Sequence, residues 1–325
     1  MKKLVTLLLI AVLALGNTSF AETKSETLDD NSKYQYPLTR SSDNWFDYSV
    51  SEKKTMLRID NQILASMSDE QLVYAIAEYP YLVDLFAYGF SKEGIDTFSK
   101  ECSAYAELSK RTSFMESLAK YGEKVIEECS LRSEDSHSRF VSGAMQDLID
   151  FACGKELVRY NRPGTMLVYT PNGTAVTAIL YEELHSPQDH ADADDEMEST
   201  YGVTKVSDGT CYYNCHAYAW SLQSPNTPYW IPYPNNYMTD GSYSQIFSGS
   251  PNQYISSFNF HYHDIVYYPG TNPPNSAHSA LIYSIPANAH YLSQVQVISK
   301  WGNLGLFVHS LTNSPYNDST VSVWW

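Results

Sequence analysis

Cys215 is the residue of this chain whose neighbours best suit nucleophilic chemistry. The segment NCHAYAWSLQ predicts a helix that begins after Asn214, with the cysteine in its first turn. The N–H groups at a helix start stabilise a thiolate, whereas an unperturbed cysteine has a pKa of about 8.5. We therefore predict Cys215 as a thiol nucleophile, with Asn214 either capping the helix or contributing to an oxyanion hole.

A thiol nucleophile needs a histidine that approaches from elsewhere in the fold. His278 opens the run HSALIYSI, where a loop gives way to a buried strand, and it is the predicted base. His216 is adjacent to Cys215 in the sequence and would point about 100 degrees away around the helix. We therefore expect His216 to pack beside the cleft and His309, on a late strand, to line it.

The alternative role for Cys215 is half of a disulfide. The chain has five cysteines, and this odd number leaves at least one of them out of any intrachain pairing. A bridge from Cys215 to Cys211 is geometrically awkward if a helix begins between them. Cys211 could instead pair with one of the three earlier cysteines, Cys102, Cys129 or Cys153.

The first 21 residues predict a secretory signal peptide. Lys2 and Lys3 precede an apolar run from Leu4 to Leu15, which is short for a membrane span, and Ala21 ends a site with small residues suited to cleavage. The mature protein is therefore expected to be secreted, in the extracellular space or associated with a cell wall, without a membrane anchor.

The formal net charge of −16 argues against two classes of partner. Nucleic acid requires a basic surface, and so does electrostatic docking on anionic lipid. Residues 22–50 are polar and without periodicity, and we interpret them as a flexible leader.

Residues 51–160 predict a helical domain that packs or positions the rest. Ser68 precedes an apolar period of helical spacing and has Gln71 three residues later, which is a capping box. Ser113 and Glu116 repeat that pattern before the next helix.

The character of the sequence changes at residue 164. Two β-rich runs flank Pro171-Asn172-Gly173 and predict a hairpin. The acidic stretch QDHADADDEME is predicted to be a solvated loop, as charge blocks usually are. Later runs predict strands, and the whole order is typical of an α+β protein in which a helix packs on an antiparallel sheet. These runs are DIVYY, SALIYSI, SQVQVISKWG, GLFVHSL and TVSVWW.

Four blocks of this region resemble a known family. YNCHAYAW (213–220), YMTDGSY (237–243), HSALIY (278–283) and SKWG (299–302) follow one another in the order seen in secreted papain-like proteins of Gram-positive bacteria. The arrangement is similar to that of CHAP and NlpC-type cysteine amidases and peptidases. The resemblance covers residues 164–325 and implies a papain-like domain there.

The resemblance also implies residue roles. Cys215 would be the nucleophile, His278 the general base, and Ser299 the group that orients the histidine, a position where the CHAP amidases carry Glu or Asn. Trp301 would lie near the cleft. Serine carries no charge to stabilise an imidazolium, so Asn303 is an alternative third residue.

Two functions follow as expectations. The first is a secreted cysteine hydrolase that cleaves an amide bond in peptidoglycan peptides or another extracellular peptide through a Cys215 thioester, with no metal or organic cofactor. The second is a binding or adhesion module with weak catalysis on the same scaffold, which the uncharged Ser299 favours.

Overall fold

The computed structural model describes residues 33–88, 92–154, 164–183, 185–256, 259–270, 277–316 and 320–325. The predicted signal peptide and residues 22–32 of the predicted leader lie outside these ranges. The described chain is mixed α+β, with helices followed by antiparallel sheets, and this fold class is as predicted.

Helices dominate the described chain before residue 155. They are α1 (Val50–Met56), α2 (Asn61–Ser66), α3 (Asp69–Ala77), α4 (Asp84–Tyr88), α5 (Lys92–Glu101), α6 (Ser103–Leu108), α7 (Phe114–Ser130) and α8 (Ser136–Ala152). The capping box predicted at Ser68 is present, since its side chain accepts the Gln71 N–H and the Gln71 side chain accepts the Ser68 N–H. The box predicted at Ser113 is absent because that hydroxyl donates to Asp69 instead (2.5 Å).

The predicted leader contributes to the core where it is described. Trp45 is buried at 1% exposure, and its indole N–H donates to the Thr200 carbonyl oxygen (2.9 Å). Tyr36 and Leu38 are buried as well. Residues 33–50 are therefore not a flexible leader, because a few large apolar side chains in a polar segment suffice to anchor it.

The strands form a hairpin and one larger sheet. The hairpin predicted around Gly173 pairs β1 (Gly164–Tyr169) with β2 (Ala175–Leu180). The seven-stranded sheet has the order β3-β8-β7-β6-β5-β9-β4, and its neighbours are antiparallel. Its strands are β3 (Thr204–Ser207), β4 (Gln245–Gly249), β5 (Ile265–Tyr268), β6 (His278–Ser284), β7 (Gln296–Lys300), β8 (Leu306–Ser310) and β9 (Val321–Trp324).

The two faces of this sheet have different neighbours. Along β6, Leu281 packs in the same cluster as Trp220, which belongs to the helical segment after Cys215. We call this side the helix face. Ala280 and Ile282 point the other way, into a separate cluster on what we call the far face. The alternation places consecutive side chains of one strand on opposite faces.

Only the part of the far face around Trp301 and Phe307 shares a hydrophobic core with the helical half, apart from the cluster of Ala280 and Ile282. Trp301 and Phe307, from the end of β7 and from β8, belong to the same buried cluster as Leu72 of α3. The Tyr316 hydroxyl donates to the carbonyl oxygen of Ala87 in α4 (2.6 Å). The helices therefore cover this part of the sheet, whereas the predicted boundary between residues 160 and 164 remains a prediction.

The acidic stretch is a helix, and the solvated loop predicted for it is wrong. It forms α9 (Pro187–Tyr201), which starts with a capping box between Ser186 and Asp189. Three of its carboxylates, those of Asp192, Asp194 and Glu196, are buried and have partners. Asp192 accepts two hydrogen bonds from the Arg139 guanidinium (2.8 and 2.6 Å). Sequence pattern alone could not supply these partners, because they come from distant elements.

Within the described ranges, no helix has the length and apolarity that crossing a bilayer demands.

Candidate functional site

Cys215 is the first residue of a short helix, α10 (Cys215–Ala217), which continues as a wider π-helical turn through Leu222. Asn214 caps it, since its side-chain oxygen accepts the Ala217 N–H (3.0 Å). The same side chain also accepts from the Ile231 N–H (3.1 Å) and donates to the Ile231 carbonyl oxygen (2.9 Å). The helix start predicted after Asn214 is confirmed, and Asn214 also holds the following loop in place.

The Cys215 thiol is enclosed, with 7% of the residue exposed. Burial raises the pKa of this thiol to about 11, because it disfavours the charged thiolate. The backbone N–H groups of Ser279, His216 and Cys215 itself face the sulfur and act in the opposite direction, as does the more distant Lys300. The groups that would stabilise a thiolate are present, but burial outweighs them.

His278 lies on the far face of the sheet. It pairs across strands with Tyr268 of β5, and its ring stacks on Tyr316 with centroids 3.8 Å apart. Neither ring nitrogen has a hydrogen-bond partner among the residues that the structure describes. Burial lowers the pKa of His278 well below its ordinary value, with smaller contributions from His309 and His216. The predicted base therefore makes no hydrogen bond to Cys215 in this arrangement.

Ser299 contacts a different histidine from the one expected. Its hydroxyl is 2.8 Å from Nε2 of His309, and the Trp301 indole N–H donates to the same hydroxyl oxygen (2.8 Å). His309 Nδ1 donates to the Ser310 carbonyl oxygen (2.9 Å), so Nε2 accepts the serine proton. The predicted orienting residue thus forms a buried Trp–Ser–His chain, and Trp301 and His309 lie inside the core rather than at a cleft rim.

A similar chain lies on the helix face. The Trp220 indole N–H donates to the Ser279 hydroxyl oxygen (2.8 Å), and that hydroxyl is 2.8 Å from Nδ1 of His216. Burial lowers the pKa of His216 to about 3, so its ring is neutral and shares one hydrogen bond with the Ser279 hydroxyl. His216 therefore packs beside Cys215 as a fixed, uncharged group.

Lys300 is a residue whose importance the sequence did not indicate. Its ammonium group is buried and donates to three carbonyl oxygens, those of Thr210 (2.9 Å), Gly302 (2.7 Å) and Leu304. These bonds join the loop before α10 to the turn after β7. The lysine of the SKWG block is therefore a structural clamp, meaning that it ties these two segments together by hydrogen bonds. Ser299 and Trp301 beside it hydrogen-bond inside the core.

Asn303, the alternative third residue, is buried in that same turn after β7. Its carbonyl oxygen lies against the loop before α10, since a Cβ added at Gly209 would come 2.9 Å from it.

None of the five cysteines forms a disulfide in this structure. Cys215 and Cys211 are both buried thiols, while Cys153 is exposed. The bridges left open by the sequence are thus not present here.

A second group of reactive side chains surrounds Cys211. Ligand atoms of Glu183, His190 and Cys211 lie within 4.8 Å of one another. His190 Nε2 is 2.9 Å from Glu183 Oε1. Hydrogen bonds from His190, Thr210 and the Cys211 N–H hold the pKa of Glu183 well below its ordinary value despite partial burial. A local pattern could not show this group, because its members come from the segment after β2, from α9 and from the loop before α10.

Exposed aromatic side chains form two small stacks on the sheet half. Tyr254 stacks on His290 with centroids 5.2 Å apart and has Tyr291 against its edge. Tyr262 lies over His263 at 3.9 Å and near Tyr283 at 6.3 Å. These four tyrosines are all exposed, so part of each ring is accessible to a partner.

Comparison with known proteins adds no relative, since no family model, no curated protein and no solved structure matches this chain.

Proposed function

We propose that this chain is a secreted binding module whose partner is peptidoglycan or a peptide of the cell surface. The observation that carries the proposal is that the predicted catalytic side chains do not form one hydrogen-bonded catalytic group among the described residues. Asn214 caps a helix, Ser299 bonds His309, and the Cys215 thiol is buried without a histidine partner among the described residues. A side chain that is used in this way is not available to activate a nucleophile.

The exposed tyrosines support binding. Aromatic rings stack on the apolar faces of sugars and on peptide side chains, and they lose little conformational entropy when they do so. Tyr254 and Tyr262 are 58% and 61% exposed, and each lies in a cluster with a histidine and a second exposed tyrosine. We therefore place the binding surface at the two stacks described above.

The binding experiment is cosedimentation of the mature protein with purified peptidoglycan sacculi. Tyr254→Ala and Tyr262→Ala are each expected to weaken binding roughly threefold to tenfold, the range typical of one aromatic contact. Tyr254→Phe keeps the ring and should bind like the wild type. Tyr169→Ala removes an equally exposed tyrosine from the β1–β2 hairpin and is the matched control. Equal losses in Tyr169→Ala and Tyr254→Ala would contradict the assignment of the surface.

A second candidate is the cysteine hydrolase, with Cys215 as the nucleophile and His278 as the base. The observation that favours it is the set of three backbone N–H groups around the Cys215 sulfur. Such donors stabilise a thiolate and, later, an oxyanion. This function requires a conformation in which a base makes a hydrogen bond to the Cys215 thiol. In the conformation described above, His278 makes no such bond.

Incubation with the same sacculi also distinguishes the binding module from the cysteine hydrolase. A binding module leaves the released muropeptides unchanged, and Cys215→Ala sediments like the wild type. Release of new amino and carboxyl termini by the wild type, abolished by Cys215→Ala and by His278→Ala, would establish the hydrolase instead. His261→Ala is the control for the second variant, because it removes an exposed histidine from the same half of the chain that belongs to neither stack.

A further inference from the structure

The cluster of Glu183, His190 and Cys211 has the composition of a transition-metal site. A carboxylate, an imidazole and a thiol are the three side-chain types that hold Zn²⁺, at about 2.0–2.3 Å from the ion. Calcium and magnesium instead take oxygen ligands, and iron–sulfur clusters need several cysteines. The donor set therefore selects zinc or a chemically similar divalent ion.

The spacing of the three donors fits one shared ion. Their ligand atoms already lie within 4.8 Å of one another. Two ligands of a tetrahedral zinc ion are roughly 3–4 Å apart, so small side-chain shifts bring all three donors onto one centre. Cys211 is fully buried and His190 nearly so, whereas the Glu183 side chain is 23% exposed. An ion can thus enter from solvent past the carboxylate.

Neighbouring groups hold the donors in place. Glu183 accepts hydrogen bonds from the Thr210 hydroxyl (2.9 Å) and the Cys211 N–H (2.8 Å), which fix its orientation. The Gly209 backbone lies so close to the imidazole that an added Cβ would be 2.6 Å from His190 Nδ1. The backbone of Gly209, two residues before Cys211, therefore packs directly against the His190 ring and limits its movement.

The charges of the ligands also suit a divalent ion. The Lys300 ammonium acts on Cys211 and Glu183, while the buried Asp194 carboxylate is shared between Lys300 and Lys205, whose Nζ is 3.9 Å from it. Ionised Glu183 and a Cys211 thiolate then contribute two negative charges, which a divalent ion neutralises. The ammonium protons of Lys300 point to three carbonyl oxygens, so this side chain does not compete for the donors.

We propose that Glu183, His190 and Cys211 bind one Zn²⁺ ion, with the fourth position taken by water or by His185. The His185 ring centroid is 5.2 Å from that of His190. On binding, the Cys211 S–H proton is released to solvent and the sulfur forms the bond to the metal. The site joins the segment after β2, α9 and the loop before α10, and it does not depend on the binding function proposed above.

Cobalt titration tests this proposal, because Co²⁺ replaces zinc and a cobalt–thiolate bond gives a near-ultraviolet charge-transfer band. We expect the chelator-treated wild-type protein to bind one Co²⁺ ion with this band, and added Zn²⁺ to remove it. Cys211→Ser should abolish the band, and Glu183→Gln and His190→Gln should weaken Co²⁺ binding by more than about tenfold. Cys215→Ser and Cys153→Ser are the matched controls and should keep the band. His185→Ala distinguishes water from His185 as the fourth ligand.

A second measurement covers variants that fail to fold. In the wild-type protein, Zn²⁺ should slow iodoacetamide alkylation of Cys211, measured by peptide mapping, while alkylation of the exposed Cys153 stays unchanged. The absence of a cobalt band in the wild type, or of Cys211 protection by Zn²⁺, would mean that the cluster is only a hydrogen-bonded network. A band lost in Cys215→Ser but kept in Cys211→Ser would place the metal elsewhere and overturn the proposal.

Discussion

At the scale of single residues, several polar side chains from the sequence motifs make hydrogen bonds inside the fold. Ser299 and Ser279 each link a tryptophan to a histidine, on opposite faces of one sheet. Lys300 donates hydrogen bonds to three backbone carbonyl oxygens. Buried polar groups cost free energy unless they are paired, so such side chains are hard to replace whether or not they take part in chemistry.

Lys300→Met tests the clamp. The substitution keeps most of the side-chain volume but leaves three carbonyl oxygens without a donor, so we expect the free energy of unfolding to fall by at least about 3 kcal/mol. Urea denaturation measures this loss. Lys124→Met removes a lysine from an exposed ion pair with Glu70 and should unfold near the wild-type midpoint. Similar midpoints for the two variants would contradict the clamp.

Buried histidines make stability depend on pH. Burial lowers the pKa of His216 to about 3 and of His309 to about 4, and it lowers that of His278 well below its ordinary value. Their contribution to stability is complete above about pH 6.5, the ordinary histidine pKa, and is lost as the pH falls toward the folded values. Burial also raises the pKa of Asp84 and of Asp194 to about 6. These two carboxyls therefore add stability as the pH falls from about 6 to about 3.8, which is the reverse of the effect of the histidines.

His278→Phe isolates one of these groups. Phenylalanine can keep the stack on Tyr316 and has no proton to take up, so we expect the loss of stability between pH 7 and pH 5 to shrink by about 2 kcal/mol. Thermal unfolding at several pH values measures the slope. His290→Gln changes an exposed histidine and should keep the wild-type slope. An unchanged slope in His278→Phe would show that the ring is protonated or exposed in the fold.

At the scale of elements, the short helix after Asn214 depends on its cap more than on its length. Three helical residues and a π-helical turn cannot form a stable helix alone. The Asn214 side chain supplies three hydrogen bonds at this point, one to the helix and two to the backbone of Ile231. Cap, helix and loop therefore form as one unit.

Asn214→Ala should lower the free energy of unfolding by about 2–3 kcal/mol, because it combines loss of a cap with two unpaired buried backbone groups. Asn214→Asp keeps the oxygen acceptor and loses the donor to the Ile231 carbonyl, so an intermediate loss is expected. Ser186→Ala removes the exposed cap of α9 and should cost about 1 kcal/mol. Chemical denaturation compares the three variants, and an Asn214→Ala loss no larger than that of Ser186→Ala would contradict this account.

At the scale of the whole molecule, the helical half and the sheet half meet at the turn after β7. Gly302 has a positive φ of 55°, and a Cβ there would lie 2.6 Å from the carbonyl oxygens of Phe86 and Ala87. Backbone of α4 thus approaches the turn as closely as only glycine permits. The two halves are fitted to each other rather than merely tethered.

Gly302→Ala should therefore lower stability by at least about 2 kcal/mol, since it adds both a strained backbone and a clash with backbone atoms. Gly143→Ala is the control, because Gly143 lies in α8 with open space around it and should gain about 0.5–1 kcal/mol. Thermal unfolding reports both changes. A Gly302→Ala variant as stable as the wild type would mean that the halves move apart easily.

The sequence by itself determined what depends on neighbours in the chain. The capping box at Ser68, the hairpin around Gly173 and the helix start after Asn214 rest on local spacing and backbone chemistry, and all three are present. The strand runs were predicted because apolar alternation is a local property as well. The mixed α+β class followed from the order of these elements.

Only the tertiary structure decided which side chains meet. Alternation shows that His278 and Ser279 point opposite ways, but not that Ser279 is the one that faces the helix of Cys215. The acidic stretch became a helix because Arg139 and other distant groups neutralise its carboxylates. Glu183, His190 and Cys211 converge from three elements. Such contacts depend on the packing of distant segments, and local sequence spacing does not encode that packing.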